Sequence, residues 1–237
     1  MTQFERIIIL TGAGISAESG LDTFRDKGGI WEKYDLMKVA TPEAFARDPE
    51  MVHEFYNLRR AAVKTVHPNA AHMALARLER EYPGEILLVT QNVDDLHEKA
   101  GSRNICHMHG ELGKIRCRSC RQVMDWWDDL VTETVCPLCT KSGQLRPHIV
   151  WFGEVPFHLN KIAQFIENAD LFISIGTSGQ VYPASGFIQA ATDAGAHTVE
   201  LNREPSDGYS LFEETCYGPA TEVVPQYVEN LLKEAHA

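Results

Sequence analysis

The sequence predicts an α/β protein whose parallel sheet carries helices on both faces. Three observations carry that expectation. Short apolar runs recur at residues 7–10, 86–89 and 171–175, and such runs mark strands buried on both sides. A fourth strand is expected at 198–201, and these strands end in small or polar residues such as Thr11-Gly12, Thr90-Gln91, Gly176-Thr177 and Asn202. Stretches with helical spacing lie between the strands, as parallel crossovers require.

The first run leads into Thr11-Gly12-Ala13-Gly14-Ile15-Ser16-Ala17-Glu18. Gly12 allows a tight turn, Gly14 removes a side chain that would hold a pyrophosphate away, and Ala17 is the third small residue of the dinucleotide fingerprint. Free N–H groups at the helix that follows would face phosphate oxygens. Plain turns also produce this pattern. Residues 18–31 are Gly-rich, hold the pair Phe24-Arg25 and show no strand pattern. A hydride-transfer half-domain would place an acidic second strand there. The stretch reads instead as a long loop over a ligand.

Thr41-Pro42-Glu43 is a helix start, and Phe45, Val52, Phe55, Tyr56, Leu58 and Val63 continue at helical spacing to about residue 66. A second helix spans 70–81, and Pro83-Gly84 ends it. The strand at 86–90 delivers Gln91-Asn92-Val93-Asp94 to the carboxyl edge of the sheet, where α/β folds bind ligands. A short strand at 104–108 precedes His109-Gly110. Beyond a cysteine-rich insertion come a helix at 159–168, the strand at 171–175, a helix at 184–194, the strand at 198–201 and a last helix at 222–234.

Composition narrows the function. With 22 Lys plus Arg against 33 Asp plus Glu, the net charge of −11 argues against a general nucleic-acid binder and suits Lys-rich protein surfaces. Apolar runs are too short for a membrane span or a secretory h-region, so the expected location is cytoplasmic. Thiols stay reduced there, and the six cysteines read as metal ligands or free thiols. Cys117-x-x-Cys120 and Cys136-x-x-Cys139 have the spacing of a four-thiolate site, which is closed to substrate and therefore structural for zinc. Four free thiols are the alternative. Cys106 and Cys216 lack partners and read as small buried hydrophobes. A zinc ribbon could also bind nucleic acid, but Asp125, Asp128 and Asp129 would repel a phosphate backbone.

Taken in order, Gly12-Ala13-Gly14-Ile15-Ser16, Phe24-Arg25, Gln91-Asn92-Val93-Asp94, His109-Gly110, the two Cys-x-x-Cys pairs, Phe152-Gly153-Glu154, Gly176-Thr177-Ser178 and Leu201-Asn202 resemble the sirtuins. The resemblance spans essentially the whole chain and is nearest to the bacterial CobB-type members of class III. It implies a Rossmann-like domain at residues 1–35, 71–110 and 148–237. A small domain would combine a helical insertion at 36–70 with a zinc-binding insertion at 111–147. It also implies NAD-dependent removal of acyl groups from protein lysines, with NAD consumed as co-substrate and one structural zinc bound. Transfer of ADP-ribose to protein is the alternative activity.

The residue roles that the resemblance implies begin with Gly12, Ala13, Gly14, Ser16, Ala17, Phe24, Arg25 and Trp31 as the first cofactor segment. Gln91, Asn92, Val93 and Asp94 would hold nicotinamide and its ribose. Gly176, Thr177 and Ser178 would meet phosphate and ribose, and Asn202, Arg203, Glu204 and Ala220 the adenosine end. Many sirtuins have Pro-Asp before Phe-Arg where this chain has Asp22-Thr23; the Phe and Arg themselves are intact.

His109 would be the base that takes a ribose hydroxyl proton, its ordinary pKa near 6.5 suiting the task. A structural histidine is the alternative, since nine others exist. Asn92 and Asp94 complete the catalytic set. The substrate peptide would add as a strand between Val150, Phe152, Gly153 and Glu154 on one side and the loop at Val181 on the other. Core packing is the other reading of Val150 and Phe152. Tyr56 and Arg59 lie three apart on one helix face, the Tyr-x-x-Arg pair of class III sirtuins. A guanidinium beside a phenol binds a carboxylate, which succinyl- and malonyl-lysine carry and acetyl-lysine lacks. A solvated helix face is the bland alternative.

Overall fold

The computed structural model describes residues 4–21 and 34–236. Its strands are β1 (Arg6–Thr11), β2 (Glu85–Thr90), β3 (Ile105–His107), β4 (Gly110–Cys117), β5 (Val123–Asp125), β6 (Leu145–Ile149), β7 (Leu171–Ile175), β8 (His197–Asn202) and β9 (Glu214–Tyr217). Six of them form one sheet in the order β3-β2-β1-β7-β8-β9, every neighbouring pair parallel. Alternation along β1 explains why its sequence is apolar without a break. Ile7 and Ile9 enter one core with helices Ala70–Glu81 and Ala220–Ala235, while Ile8 and Leu10 enter another with helices Leu159–Ile166 and Phe187–Asp193. Both faces are covered, as the sequence predicts.

The second sheet is antiparallel, in the order β5-β4-β6, and the sequence pattern did not disclose it. Against it packs the helical segment. Phe45, Val52, Phe55, Tyr56 and Val63 share a core with Leu112, Ile149 and Trp151. The Asn57 amide ties the two pieces at backbone level, donating to Leu130 O at 3.0 Å and accepting from Leu130 N at 2.9 Å. The expected helical stretch from residue 41 is two helices, Pro42–Arg47 and Pro49–Lys64. Asp48, forced extended before Pro49, ends the first and caps the second by accepting from Met51 N at 3.0 Å.

Three boundaries differ from expectation. The stretch at 184–194 divides into a 3-10 turn, Ala184–Gly186, and the helix Phe187–Asp193. The helix from Leu159 stops at Ile166, and the last helix begins at Ala220 and holds Pro225 within it. No helix among the described residues is long and apolar enough to cross a membrane.

Candidate active site

Strand order reverses between β1 and β7, which opens a crevice at their carboxyl ends. The two turns there are joined through backbone. Gly12 N donates to Ile175 O at 3.0 Å, Gly14 N to Gly176 O at 2.8 Å, and Gly176 N to Leu201 O at 3.1 Å. A Cβ on Gly12 would lie 2.8 Å from Gly176 O, and one on Gly176, at φ +61, would lie 2.5 Å from Ile15 N. These glycines are therefore demanded by loop-on-loop packing before any ligand arrives. One expectation is corrected here. The helix Gly14–Ala17 is a single four-residue turn, and the amides of Gly14, Ile15 and Ser16 are bonded to Gly176, Gly12 and Ala13 rather than left open. Two of these amides close the local turn, and that of Gly14 ties it to the turn after β7.

Ser16 is the hub of the floor. Its hydroxyl accepts from Asn92 Nδ2 at 3.1 Å and donates to Asp94 Oδ2 at 3.2 Å, with His72 Nε2 at 3.4 Å. Asn92 Nδ2 also donates to Gly12 O at 3.1 Å, and Asp94 Oδ1 accepts from Leu96 N at 3.1 Å. Gln91 Nε2 reaches Thr177 Oγ1 at 3.1 Å, and Asn202 Nδ2 reaches Thr177 O at 2.8 Å. Side chains from the ends of β1, β2, β7 and β8 are thus laced together. Burial pushes the Asp94 carboxyl up from its ordinary value, opposed by the Leu96 amide and the Ser16 hydroxyl. Beneath lie His72 and His97, their rings 4.9 Å apart, with His97 Nε2 at 3.0 Å from Thr11 Oγ1. Burial lowers His72 to about 4 and His97 well below its ordinary value, so both are neutral imidazoles. Sequence reading missed this pair; the capping pattern Asn69…His72 was its available signal.

His109 follows β3 and is half-buried. Its Nδ1 lies 3.1 Å from Gln91 O, an acceptor, so Nδ1 carries the proton and Nε2 keeps its lone pair. Burial lowers its pKa, partly opposed by that carbonyl. Gly110 has φ +86, and a Cβ there would sit 2.1 Å from His148 O, which fixes the bend that presents His109. His109 O accepts from Val150 N at 2.9 Å, bringing the segment 150–154 alongside. Val150 is half-buried and Phe152 exposed, so core packing does not describe Phe152. Gly153, at φ +86, is exposed, whereas the Glu154 carboxylate turns inward to Arg116, Arg146 and Trp151 N. Val181 is exposed on its loop.

Tyr56 is fully buried, 1% exposed, which a solvated helix face would not be. Arg59 is half-buried, its guanidinium 5.8 Å from the Tyr56 ring centroid. Burial lowers Arg59, opposed by Tyr56 and by Asp94, so the charge lies within electrostatic reach of the floor. Ala13 and Ala17 are half-buried beside Ser16, and Val93 accepts from Leu112 N at 2.8 Å. Ser178 O accepts from Asp207 N at 3.1 Å; Arg203 and Glu204 are exposed, and Ala220 opens the last helix. Phe24, Arg25 and Trp31 lie outside the described residues.

The four cysteine sulfurs lie within 4.8 Å of one another, with Cys117–Cys139 at 3.7 Å and Cys120–Cys136 at 3.9 Å. Tetrahedral zinc with Zn–S near 2.3 Å sets sulfurs about 3.8 Å apart. The donor set fits one zinc and leaves no fifth protein ligand position for chemistry. Cys106 is buried against the sheet, as a small hydrophobe would be.

The model of the Sir2 family matches residues 12–183. An NAD-dependent protein deacylase of Caulobacter vibrioides is 55% identical over 230 residues, covering 96% of this chain and 97% of that protein. A crystal structure of a Sir2 homologue–NAD complex superimposes with a TM-score of 0.90 at 38% identity, covering 99% of this chain and 92% of that one. A structure of Sir2 bound to acetylated peptide gives 0.83 at 27% identity, covering 96% and 94%. A parallel sheet with its site at the switch point, carrying a four-cysteine satellite, defines a Rossmann-like NAD-binding class of protein. Within that class the chain belongs to the Sir2 family, the sirtuins.

Proposed function

We propose that this chain is an NAD-dependent protein-lysine deacylase acting on acetyl-lysine and on succinyl- and malonyl-lysine. The observation that carries the reading is His109, whose Nδ1–H points at Gln91 O so that Nε2 keeps its lone pair, beside the Ser16–Asn92–Asp94 hub at the sheet's switch point. Its deacylase relatives and the NAD-bound homologue support the same chemistry. NAD supplies the ADP-ribosyl group that receives the acyl group as nicotinamide departs.

The chain's own residues bind, orient and move a proton. Gly12, Ala13, Gly14, Gly176, Thr177 and Ser178 form the phosphate-side floor; Asn202, Arg203, Glu204 and Ala220 border the adenosine end. Gln91, Asn92 and Asp94 orient the nicotinamide ribose. His109 Nε2 accepts the ribose hydroxyl proton, a role worth about 10²–10⁴-fold in rate. Holding the weak acyl oxygen in near-attack geometry contributes the rest. The peptide backbone pairs along Val150, Phe152 and Gly153 opposite Val181. Arg59 and Tyr56 receive the carboxylate of acidic acyl groups. The segments 36–70 and 111–147 act as one small domain, their shared core being its support. Four reduced thiolates on zinc suit the cytoplasm.

One peptide carrying acetyl, succinyl or malonyl on the same lysine, assayed by mass spectrometry with and without NAD, tests the reading. NAD-dependent loss of all three groups with nicotinamide release is expected. Nicotinamide release with the acyl groups intact and ADP-ribose attached to protein would overturn it.

A further inference from the structure

Trp151 is the residue of the 150–154 segment that does not face the solvent, being 2% exposed. Its indole Nε1 donates to the Tyr56 hydroxyl oxygen at 2.9 Å. An indole nitrogen is a donor only, so the phenol oxygen must accept from it. A phenol O–H prefers the plane of its ring and has two orientations there. With one side receiving the indole proton, the hydroxyl's own proton lies on the other. Among the described residues the indole is the hydroxyl's hydrogen-bond partner and no acceptor takes its proton. Burial keeps the phenol protonated, pushing its pKa up against the lowering effects of Arg59 and of the indole bond.

The indole itself is rigidly held. Trp151 N donates to Glu154 Oε2 at 2.9 Å, and the Arg146 guanidinium lies 3.3 Å from the ring centroid. Arg146 and Arg116 both bind Glu154, at 2.7 and 2.8 Å, and the Phe45 ring is 5.2 Å away. A salt-bridged triad thus clamps a single indole whose N–H points at a single phenol.

We propose that Trp151 is a specificity-determining positioning residue: its indole N–H fixes the Tyr56 hydroxyl as a donor aimed, with Arg59, at the terminal carboxylate of acidic acyl groups. This rests on the Tyr56–Arg59 carboxylate reading above. Trp151 touches neither substrate nor cofactor in this role. It removes the orientations in which the phenol oxygen would present a lone pair to an anion.

The test compares wild type, Trp151→Phe, Tyr56→Phe and the double variant on one peptide bearing succinyl- or acetyl-lysine. Each single variant should raise KM for the succinyl peptide about tenfold, as loss of one hydrogen bond to a charged group does, with a smaller change in kcat. KM for the acetyl peptide should rise less than about threefold, since that group brings no carboxylate. The double variant should be no worse than Tyr56→Phe alone, because the indole acts through the hydroxyl. Equal losses on the two substrates, or losses that multiply in the double variant, would overturn the proposal. Arg59→Met separates the two readings. If it also fails to discriminate succinyl from acetyl, the carboxylate clamp itself is wrong; if it discriminates and Trp151→Phe does not, only the role of Trp151 falls.

A measurement on the wild type covers the case in which Trp151→Phe does not fold. The ¹⁵N-labelled protein should show one indole N–H resonance that moves in Tyr56→Phe. That resonance should shift on adding the succinyl peptide and stay in place with the acetyl peptide, because a hydroxyl donating to a carboxylate becomes a stronger acceptor. An indole signal indifferent to both peptides would overturn the proposal.

Discussion

The floor of the site and its acyl-facing wall are built from different materials. The floor joins backbone to backbone at Gly12, Gly14 and Gly176 and rests on neutral buried groups, Ser16, Asn92, His72 and His97. The wall is made of side chains with charge, Arg59, Arg146, Arg116 and Glu154, braced around Tyr56 and Trp151. A backbone weld has one geometry and tolerates no added atom. Side-chain packing can be retuned one residue at a time. On the function proposed above, the difference separates chemistry from specificity: the floor would hold the reaction shared by every acyl group, and the wall would select among them.

The comparison breaks most visibly at Gly176. Its φ of +61 and the 2.5 Å approach of a Cβ to Ile15 N mean that Gly176→Ala must push the two turns apart. Strain of about 1–3 kcal/mol at such a backbone position, plus the clash, should remove NAD-dependent activity on every acyl substrate together. Nicotinamide release on acetyl and succinyl peptides measures it, with calorimetry following the melting temperature. Unequal losses on the two substrates would show that floor and wall are not separate.

Arg59→Met is the corresponding cut in the wall. A charge-assisted hydrogen bond is worth about 1.5–3 kcal/mol, so kcat/KM for the succinyl peptide should fall on the order of 10- to 100-fold. Deacetylation should fall far less. Similar losses on both would mean that the guanidinium serves the floor, which its electrostatic reach to Asp94 makes a real alternative to exclude.

The two regions were also unequally legible in the sequence. Buried parallel strands announce themselves by apolar runs, so β1, β2, β7 and β8 were found, and β3 was placed before His109. Fixed Cys-x-x-Cys spacing pointed to the four sulfurs that the fold gathers. The edge strand β9, Glu-Thr-Cys-Tyr, is largely exposed and carries no apolar run to read. The antiparallel sheet pairs β4 with β6 across the cysteine insertion, a contact that local patterning does not encode. Wall geometry was the least legible part. The bond from Trp151 to Tyr56 joins residues 95 apart, and nothing at either position alone marks it. The Glu154 carboxylate is engaged by Arg116, Arg146 and Trp151 N, a set of contacts the sequence does not display.

Proton linkage gives the smallest and most graded test of the comparison. His109 titrates below its ordinary 6.5 because burial disfavours the imidazolium more than the Gln91 carbonyl favours it. In the role proposed for His109 only the neutral ring accepts the ribose proton, so kcat/KM for deacetylation should fall on the acid side with a midpoint below 6.5. His72, lowered to about 4, adds a stability effect of the same sign. Its folded pKa lies below its unfolded one, so the contribution is complete above 6.5 and is lost as pH falls toward 4, where the unfolded chain binds the proton first. That loss is on the order of 3 kcal/mol for a buried imidazole shifted this far. The wall groups Arg59 and Arg146 stay charged throughout this range, so the ratio of succinyl to acetyl turnover should hold constant between pH 7 and 6. Rates over that interval, with melting temperatures recorded alongside, decide the point: an acid limb centred above 6.5 would place the titrating base outside the buried floor.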